Sequence, residues 1–150
     1  MFMTKKGSTK VLKTQTSGKV FRKEKYKTFL LRPNPGKHNL AMSVTAGYIL
    51  RDILHLADNL REATYIVRNR ELLVDKKPVS TVNYPVGLYD VIELPKLKKC
   101  YRVSYTKNGL IGLIEIPNEE SKYKITKLVR KKITKKGQIH LTTNDGRTII

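Results

Sequence analysis

Hydrophobic positions follow three rhythms along this chain, and each predicts a different kind of structure. Up to Lys27 no apolar period is present, only Lys, Thr, Ser and Gly with scattered Val and Leu. Arg32-Pro33-Asn34-Pro35-Gly36-Lys37 then reads as a rigid turn, because proline fixes its own φ and restrains the residue before it. From Ser43 a helical period takes over. Ala46, Ile49, Leu50, Ile53, Leu54 and Ala57 share one side of a helix predicted over 44–57 and capped by the Ser43 hydroxyl, with Tyr48, Arg51 and His55 opposite. Asn59 opens a second helix, with Glu62 in capping-box position. Leu60, Ala63 and Val67 face inward there, Arg61, Tyr65 and Arg68 form an outer stripe, and Asn69 marks the end.

Shorter apolar pieces at 71–74, 78–82 and 89–94, with a turn at Asp75-Lys76-Lys77, predict a small sheet under the two helices. From Tyr101 the period becomes two: Tyr101, Val103 and Tyr105 alternate with Arg102, Ser104 and Thr106. Asn108-Gly109 predicts a type I′ hairpin turn with both residues at positive φ, and 110–116 the returning strand. Beyond the Pro117-Asn118-Glu119-Glu120 loop, strands are expected over 123–134, 138–143 and 147–150, separated by turns at Lys135-Lys136-Gly137 and Asn144-Asp145-Gly146. The last strand pattern is still open at Ile150, so further structure is expected downstream. The expected class is α+β: a disordered basic arm and lead-in segment (1–42), a two-helix-plus-sheet domain (43–100), and a mainly antiparallel, incomplete β part (101–150).

Composition turns this outline towards a partner. The 150 residues suffice for one ordinary core or two small ones. Lys and Arg number 31 against 12 Asp and Glu, a net charge of +19, which repels itself unless a polyanion neutralises it. Nucleic acid is the first candidate and an anionic membrane the second, although no apolar run approaches the roughly 18 residues of a membrane span. The N-terminus turns polar after Met3, against a signal peptide, and the single Cys100 fits a reducing cytosol. The excess is uneven: +10 over residues 1–40, +2 over 41–100 and +7 over 101–150. The arm cannot offset its ordering entropy by burial, so its charge has an electrostatic use, ordering on RNA.

The catalytic inventory argues against an enzyme. Cys100, His38, His55 and His140 lack metal-site spacing, Glu119-Glu120 reads as a solvated loop, and no glycine-rich phosphate cradle appears. No metal, cofactor or small-molecule substrate is expected. The candidate RNA contacts begin in the arm and lead-in with Lys5, Lys6, Lys10, Lys13, Lys19, Arg22, Lys23, Lys25, Lys27, Arg32 and Lys37. They continue with Tyr48, Arg51 and His55 on the first helix, Arg61, Tyr65 and Arg68 on the second, and Lys76 and Lys77 in the turn. A strand cluster of Lys127, Arg130, Lys131, Lys132, Lys135 and Lys136 completes them. Arginine forks onto phosphates and tyrosine stacks on unpaired bases, which is why these residue types on one face point to RNA.

An ordered series of motifs sharpens the picture. Phe29-Leu30-Leu31-Arg32-Pro33-Asn34-Pro35-Gly36-Lys37-His38, Leu50-Arg51-Asp52, Ala57-Asp58-Asn59-Leu60-Arg61-Glu62-Ala63, Leu73-Val74-Asp75, Tyr84-Pro85-Val86-Gly87-Leu88-Tyr89-Asp90-Val91-Ile92 and Asp145-Gly146-Arg147 resemble small-subunit ribosomal protein four of the archaeal and eukaryotic ("e") type. The resemblance implies an RNA-binding domain of the ribosomal-protein-four kind over roughly 42–100, a cytoplasmic place in the small ribosomal subunit, and small-subunit rRNA and neighbouring ribosomal proteins as partners, with no membrane. That domain type also occurs in pseudouridine synthases, whose catalytic domain does not fit in the 50 residues after Cys100. The alternative to a ribosomal constituent is a free RNA-binding factor of translation or ribosome quality control.

Two departures from the family pattern stand out. Arg70 and Lys76 occupy positions where the family places Gly, so Asn69 is expected to supply the left-handed residue after the second helix. The family's usual C-terminal KOW-type barrel is missing, as expected of a fragment, a split form or a shortened member.

Overall fold

β1 (Lys10–Leu12) pairs antiparallel with β2 (Phe29–Leu31) at the start of the computed structural model, which describes residues 10–12, 29–135 and 137–150. Lys10–Leu12, expected to be disordered with the rest of the arm, are a strand instead, because Phe29–Leu31 supply a backbone partner; residues 1–9 and 13–28 fall outside the described residues, and with them Lys5, Lys6, Lys13, Lys19, Arg22, Lys23, Lys25 and Lys27, as does Lys136.

The first helix differs from its prediction. Ser43 does not cap it. Ser43–Thr45 form β3, paired antiparallel with β6 (Pro85–Gly87), and the cap is Thr45, whose hydroxyl accepts from the Tyr48 N–H at 3.2 Å. Long-range pairing with a partner forty residues on overrides the local capping signal. α1 (Ala46–Tyr48) runs into a π turn over Ile49–Ile53, and the helical run ends there rather than at Ala57. His55, past the end, takes φ 52°.

α2 (Leu60–Arg68) follows its prediction. The Asn59 side chain accepts from the Glu62 N–H at 3.0 Å while Glu62 reaches back to the Asp58 N–H at 2.8 Å, so orphan donors of the first turn find acceptors. Asn69 is the C-cap, but the left-handed residue is Arg70 (φ 57°).

β4 (Leu73–Val74), β5 (Lys77–Pro78), β7 (Val91–Leu94), β8 (Lys99–Tyr105) and β9 (Ile111–Ile116) form an antiparallel sheet in the order β5-β4-β7-β8-β9. The strand expected over 78–82 is reduced to β5, because the chain leaves the sheet to bring Pro85–Gly87 against β3. Asp75 and Lys76 both take positive φ in the tight turn joining β4 to β5. The expected boundary at Cys100 falls inside β8, and hydrogen bonding runs through it from β7 to β9.

Strand alternation gives this sheet two faces. Ile92, Leu94, Val103 and Ile111 pack with Ile49, Leu50, Ala63 and Val67 of the helices in the main core. Val91, Cys100 and Ile116 form a small cluster on the other face. There residues 117–124 lie across the sheet as a strap. Asn118 accepts from the Cys100 thiol at 3.0 Å, and the Glu120 and Tyr123 carbonyls accept from Arg102 at 3.2 and 3.4 Å.

β10 (Leu128–Ile133), β11 (Ile139–Thr143) and β12 (Thr148–Ile149) make a separate antiparallel sheet in sequence order. The strand predicted from Tyr123 begins only at Leu128, since the strap holds the residues before it. Three hairpin loops share one design, Thr-x-x-Gly-x, at 106–110, 134–138 and 143–147. In each, the Gly N–H donates to the Thr carbonyl and the Thr N–H to the carbonyl of the fifth residue, with Gly109, Gly137 and Gly146 at φ 72–77°. The turn at Asn108-Gly109 is therefore a three-residue loop with one left-handed residue, not type I′. The α+β class stands, with the strands antiparallel throughout the sheets described.

Candidate nucleic-acid interface

α2 presents the most regular stripe. Ala63 and Val67 are buried on its inner side, which fixes the helix rotation and leaves Arg61, Tyr65 and Arg68 exposed at i, i+4 and i+7. Tyr65 is 68 % exposed. Arg70 and Lys77 are exposed beyond the helix end.

The first-helix stripe is assembled differently. Tyr48 is half-buried against the core, and both Nε and Nη2 of Arg51 donate to Asp52 Oδ2, at 3.0 and 2.7 Å. His55 is exposed but sits beyond the helical run. The three residues expected on one face are thus not presented together. Lys76 binds Glu93 at 2.5 Å and Ser121 at 3.0 Å, which ties the β4–β5 turn to the strap.

The strand cluster divides between two faces. Registers place Arg130 and Lys132 beside Thr142 and His140 on one side of the three-stranded sheet, and Lys131 beside Leu141 on the other, after a bulge between Leu128 and Arg130. Lys127 and Lys135 are exposed at the strand ends, as are Arg32 in the lead-in and Lys10 in β1.

Sequence reasoning missed an ionic hub that organises these surfaces. Asp75, Asp90 and Asp145, all with nearly inaccessible side chains, converge on Lys124 Nζ at 2.5, 2.6 and 3.2 Å. Lys37 binds Asp75 at 2.5 Å and Asp90 at 3.2 Å, His38 Nε2 meets Asp90 at 2.8 Å, and Arg147 reaches both Asp75 and Asp145 at 3.3 Å. Lys37 therefore directs its charge inward, rather than towards an outside phosphate. The His38 ring lies so close to β6 that a Cβ on Gly87 would come within 2.4 Å of it, so the hub needs glycine there.

Burial works to raise the pKa of Asp90, but the hydrogen bond from His38 and the charge of Lys37 outweigh it and leave the carboxyl well below its ordinary range. Asp145 is likewise opposed by burial, and its bonds to Thr143 and Lys124 hold it down to about 2. Burial would lower Lys124, yet the bonds to Asp75 and Asp90 push it above the usual lysine value. All three groups are thus held charged near neutral pH. The signal was available in part: Lys37, His38, Asp75, Asp90, Asp145 and Arg147 all sit in the motifs that carry the family resemblance, and only Lys124 does not.

Comparison with known proteins agrees with that resemblance. The model of the ribosomal family S4e matches residues 97–150. The small ribosomal subunit protein eS4 of Nanoarchaeum equitans is 37 % identical over 122 residues, covering 81 % of this chain and 52 % of the relative. That of Staphylothermus marinus is 37 % identical over 151 residues, covering 99 % and 59 %. The crystal structure of the 30S ribosomal protein S4e from Thermoplasma acidophilum is similar at a TM-score of 0.61 and 39 % identity, covering 72 % of this chain and 55 % of that one. The chain spans about half the length of the curated relatives it matches. With the lead-in, the helix pair and the antiparallel sheets in place, the chain belongs to the S4e family of small-subunit ribosomal proteins.

Proposed function

We propose that the protein is a structural constituent of the small ribosomal subunit that binds rRNA, in the cytoplasm, with neighbouring ribosomal proteins as its other partners. Membership of the S4e family carries this reading. The site consists of α2, with Arg61 and Arg68 as phosphate contacts and Tyr65 as a stacking group between them, flanked by the basic N-terminal arm and by Arg130 and Lys132 on the second sheet. A +19 chain gains affinity from the counterions that RNA releases as its phosphates are neutralised. The hub supports this indirectly, because its paired cations hold the two sheets in one arrangement while unpaired cations face outward.

Sedimentation of lysate through sucrose gradients after a high-salt wash is the test. A ribosomal constituent stays with the small subunit, whereas a free translation or quality-control factor washes off. On an rRNA fragment, Arg61→Ala and Arg68→Ala each lower the slope of log affinity against log salt by about one unit if they contact a duplex. Tyr65→Ala weakens binding by roughly 1–3 kcal/mol with little change in slope. Unaltered affinity across this series would move the RNA surface to the arm and the second sheet.

A further inference from the structure

The polar face of the three-stranded sheet carries more than charge. Antiparallel partners lie on the same side, so the registers gather Arg130, Lys132, His140, Thr142 and Thr148 on one face. The two cations stand on β10, His140 and Thr142 on β11, and Thr148 on β12. None of the three strands contains an acidic residue. Among the described residues, none of these five side chains makes a hydrogen bond or ion pair, whereas Lys37, Lys124 and Arg147 are all engaged in the hub. Two cations, one ring and two hydroxyls are thus left for an outside partner.

Their layout is one-sided. Residues two apart on a strand are separated by about 7 Å, so Arg130 and Lys132 stand roughly one phosphate step apart along the edge strand β10. Inward of them, His140 lies opposite Lys132 and Thr142 opposite Arg130. A duplex keeps its bases stacked inside and its phosphates outside, so a ring inward of the cations would meet no base. An unpaired strand can lay its backbone along β10 and turn its bases inward. There a histidine ring offers a stacking surface, and threonine hydroxyls can exchange hydrogen bonds with ribose 2′-OH groups or base edges.

We propose that this face is a platform for unpaired RNA, with Arg130 and Lys132 on successive phosphates, His140 stacked on a base, and Thr142 and Thr148 as hydroxyl partners. It rests on the RNA-binding part of the function proposed above and deepens it, since only the charge of Arg130 and Lys132 entered there. An acidic protein segment would be drawn by the same cations but would make no use of the ring, so RNA is favoured.

Fluorescence anisotropy of the full 150-residue chain with a twelve-nucleotide oligouridylate, and with a fully paired RNA hairpin, tests this at several salt concentrations. His140→Val keeps a strand-forming residue. It should weaken oligouridylate binding by about fivefold or more, the low end of a stacking contact, and change hairpin binding less than twofold. His140→Phe should restore the oligouridylate. Arg130→Ala and Lys132→Ala should each lower the oligouridylate salt slope by about 0.7 unit, the single-strand value. In the parent chain, oligouridylate should shift the amide NMR signals of 130–132 and 140–142, a readout independent of any variant.

Absence of those shifts overturns the proposal. Equal weakening of both RNAs by His140→Val overturns it in favour of a structural role for the ring. A silent His140→Val, with Arg130→Ala and Lys132→Ala weakening both RNAs, reduces the face to a phosphate patch and overturns it too. Displacement of oligouridylate by polyglutamate at equal charge overturns it in favour of an acidic protein. None of these outcomes touches retention on the small subunit. Conversely, a chain that washes off the subunit yet binds oligouridylate through these residues sinks the ribosomal reading and leaves the platform standing.

Discussion

The five-stranded sheet is closed on one face by α1 and α2 and crossed on the other by the 117–124 strap; the three-stranded sheet has all six residues of β10 exposed. The same Thr-x-x-Gly-x loop serves both. The first sheet is held mainly by burial: Leu50, Ile92, Val67 and Val103 are at most 1 % exposed, and each fully buried side chain of this size contributes about 1.5–3 kcal/mol. The second is fastened to it by charge, through Lys124 and Arg147 on Asp75, Asp90 and Asp145. Apolar burial tolerates small shifts of angle, whereas ion pairs at 2.5–3.3 Å to nearly inaccessible carboxylates fix one geometry. Under the proposed function, that fixity would hold the basic helix and the basic sheet face in one arrangement towards a single RNA.

The comparison breaks most readily in the core. Leu50→Ala should lower unfolding free energy in urea by roughly 2–5 kcal/mol, while Ile149→Ala in the isolated chain should change it by less than about 0.5 kcal/mol. Equal costs would mean that the second sheet has a core of its own.

Lys124→Ala tests the ionic fastening. It removes one cation from three carboxylates but leaves Lys37, His38 and Arg147, so the expected loss is about 2 kcal/mol, below the roughly 3–5 kcal/mol of a fully broken buried pair. Limited proteolysis should then cut first near 125–127, releasing the second sheet while residues 29–116 stay protected.

The hub also sets the pH response, and the sign follows from the direction of each shift. Asp90 and Asp145 have folded values below their ordinary ones, so their stabilisation is complete above about pH 4–5 and is lost as pH falls towards 2, where Asp145 takes up its proton. Lys124 is raised, so its contribution is complete below the ordinary lysine value and fades as pH rises beyond it. Melting temperatures of the parent chain should therefore fall at both extremes, and the acid limb should be shallower in Lys124→Ala. Parallel acid limbs would sink the assignment.

Gly109→Val is the smallest change in this series. Nothing lies within 4 Å of an added Cβ, so the cost is that of holding Val at φ 72°, about 1–2 kcal/mol. It should appear in the melting temperature with rRNA-fragment binding unaltered, since the loop carries none of the proposed contacts.

α2 was legible down to its N-terminal cap because both its signals are local: a helical apolar period and a side chain three residues from its partner N–H. The π turn and the early end of α1 were not. Ser43 and Thr45 can each cap a helix, and the choice fell to Thr45 only because β6 claims 43–45. Arg51 looked available for phosphate from its spacing, but the side chain of its sequence neighbour Asp52 already accepts from it.

The sequence by itself determined the α+β class, the two faces of α2, the hairpin positions, the basic surplus and the family, because periodicity, turn chemistry and charge are properties of neighbouring residues. Tertiary structure alone decided which cations face outward. Lys37 and Lys124 read in the sequence like any other lysines, yet lie inside a cluster whose aspartates come from positions 75, 90 and 145. Whether a lysine serves RNA or the fold depends on the carboxylates within about 4 Å of it, and chain crossings between distant segments set that distance.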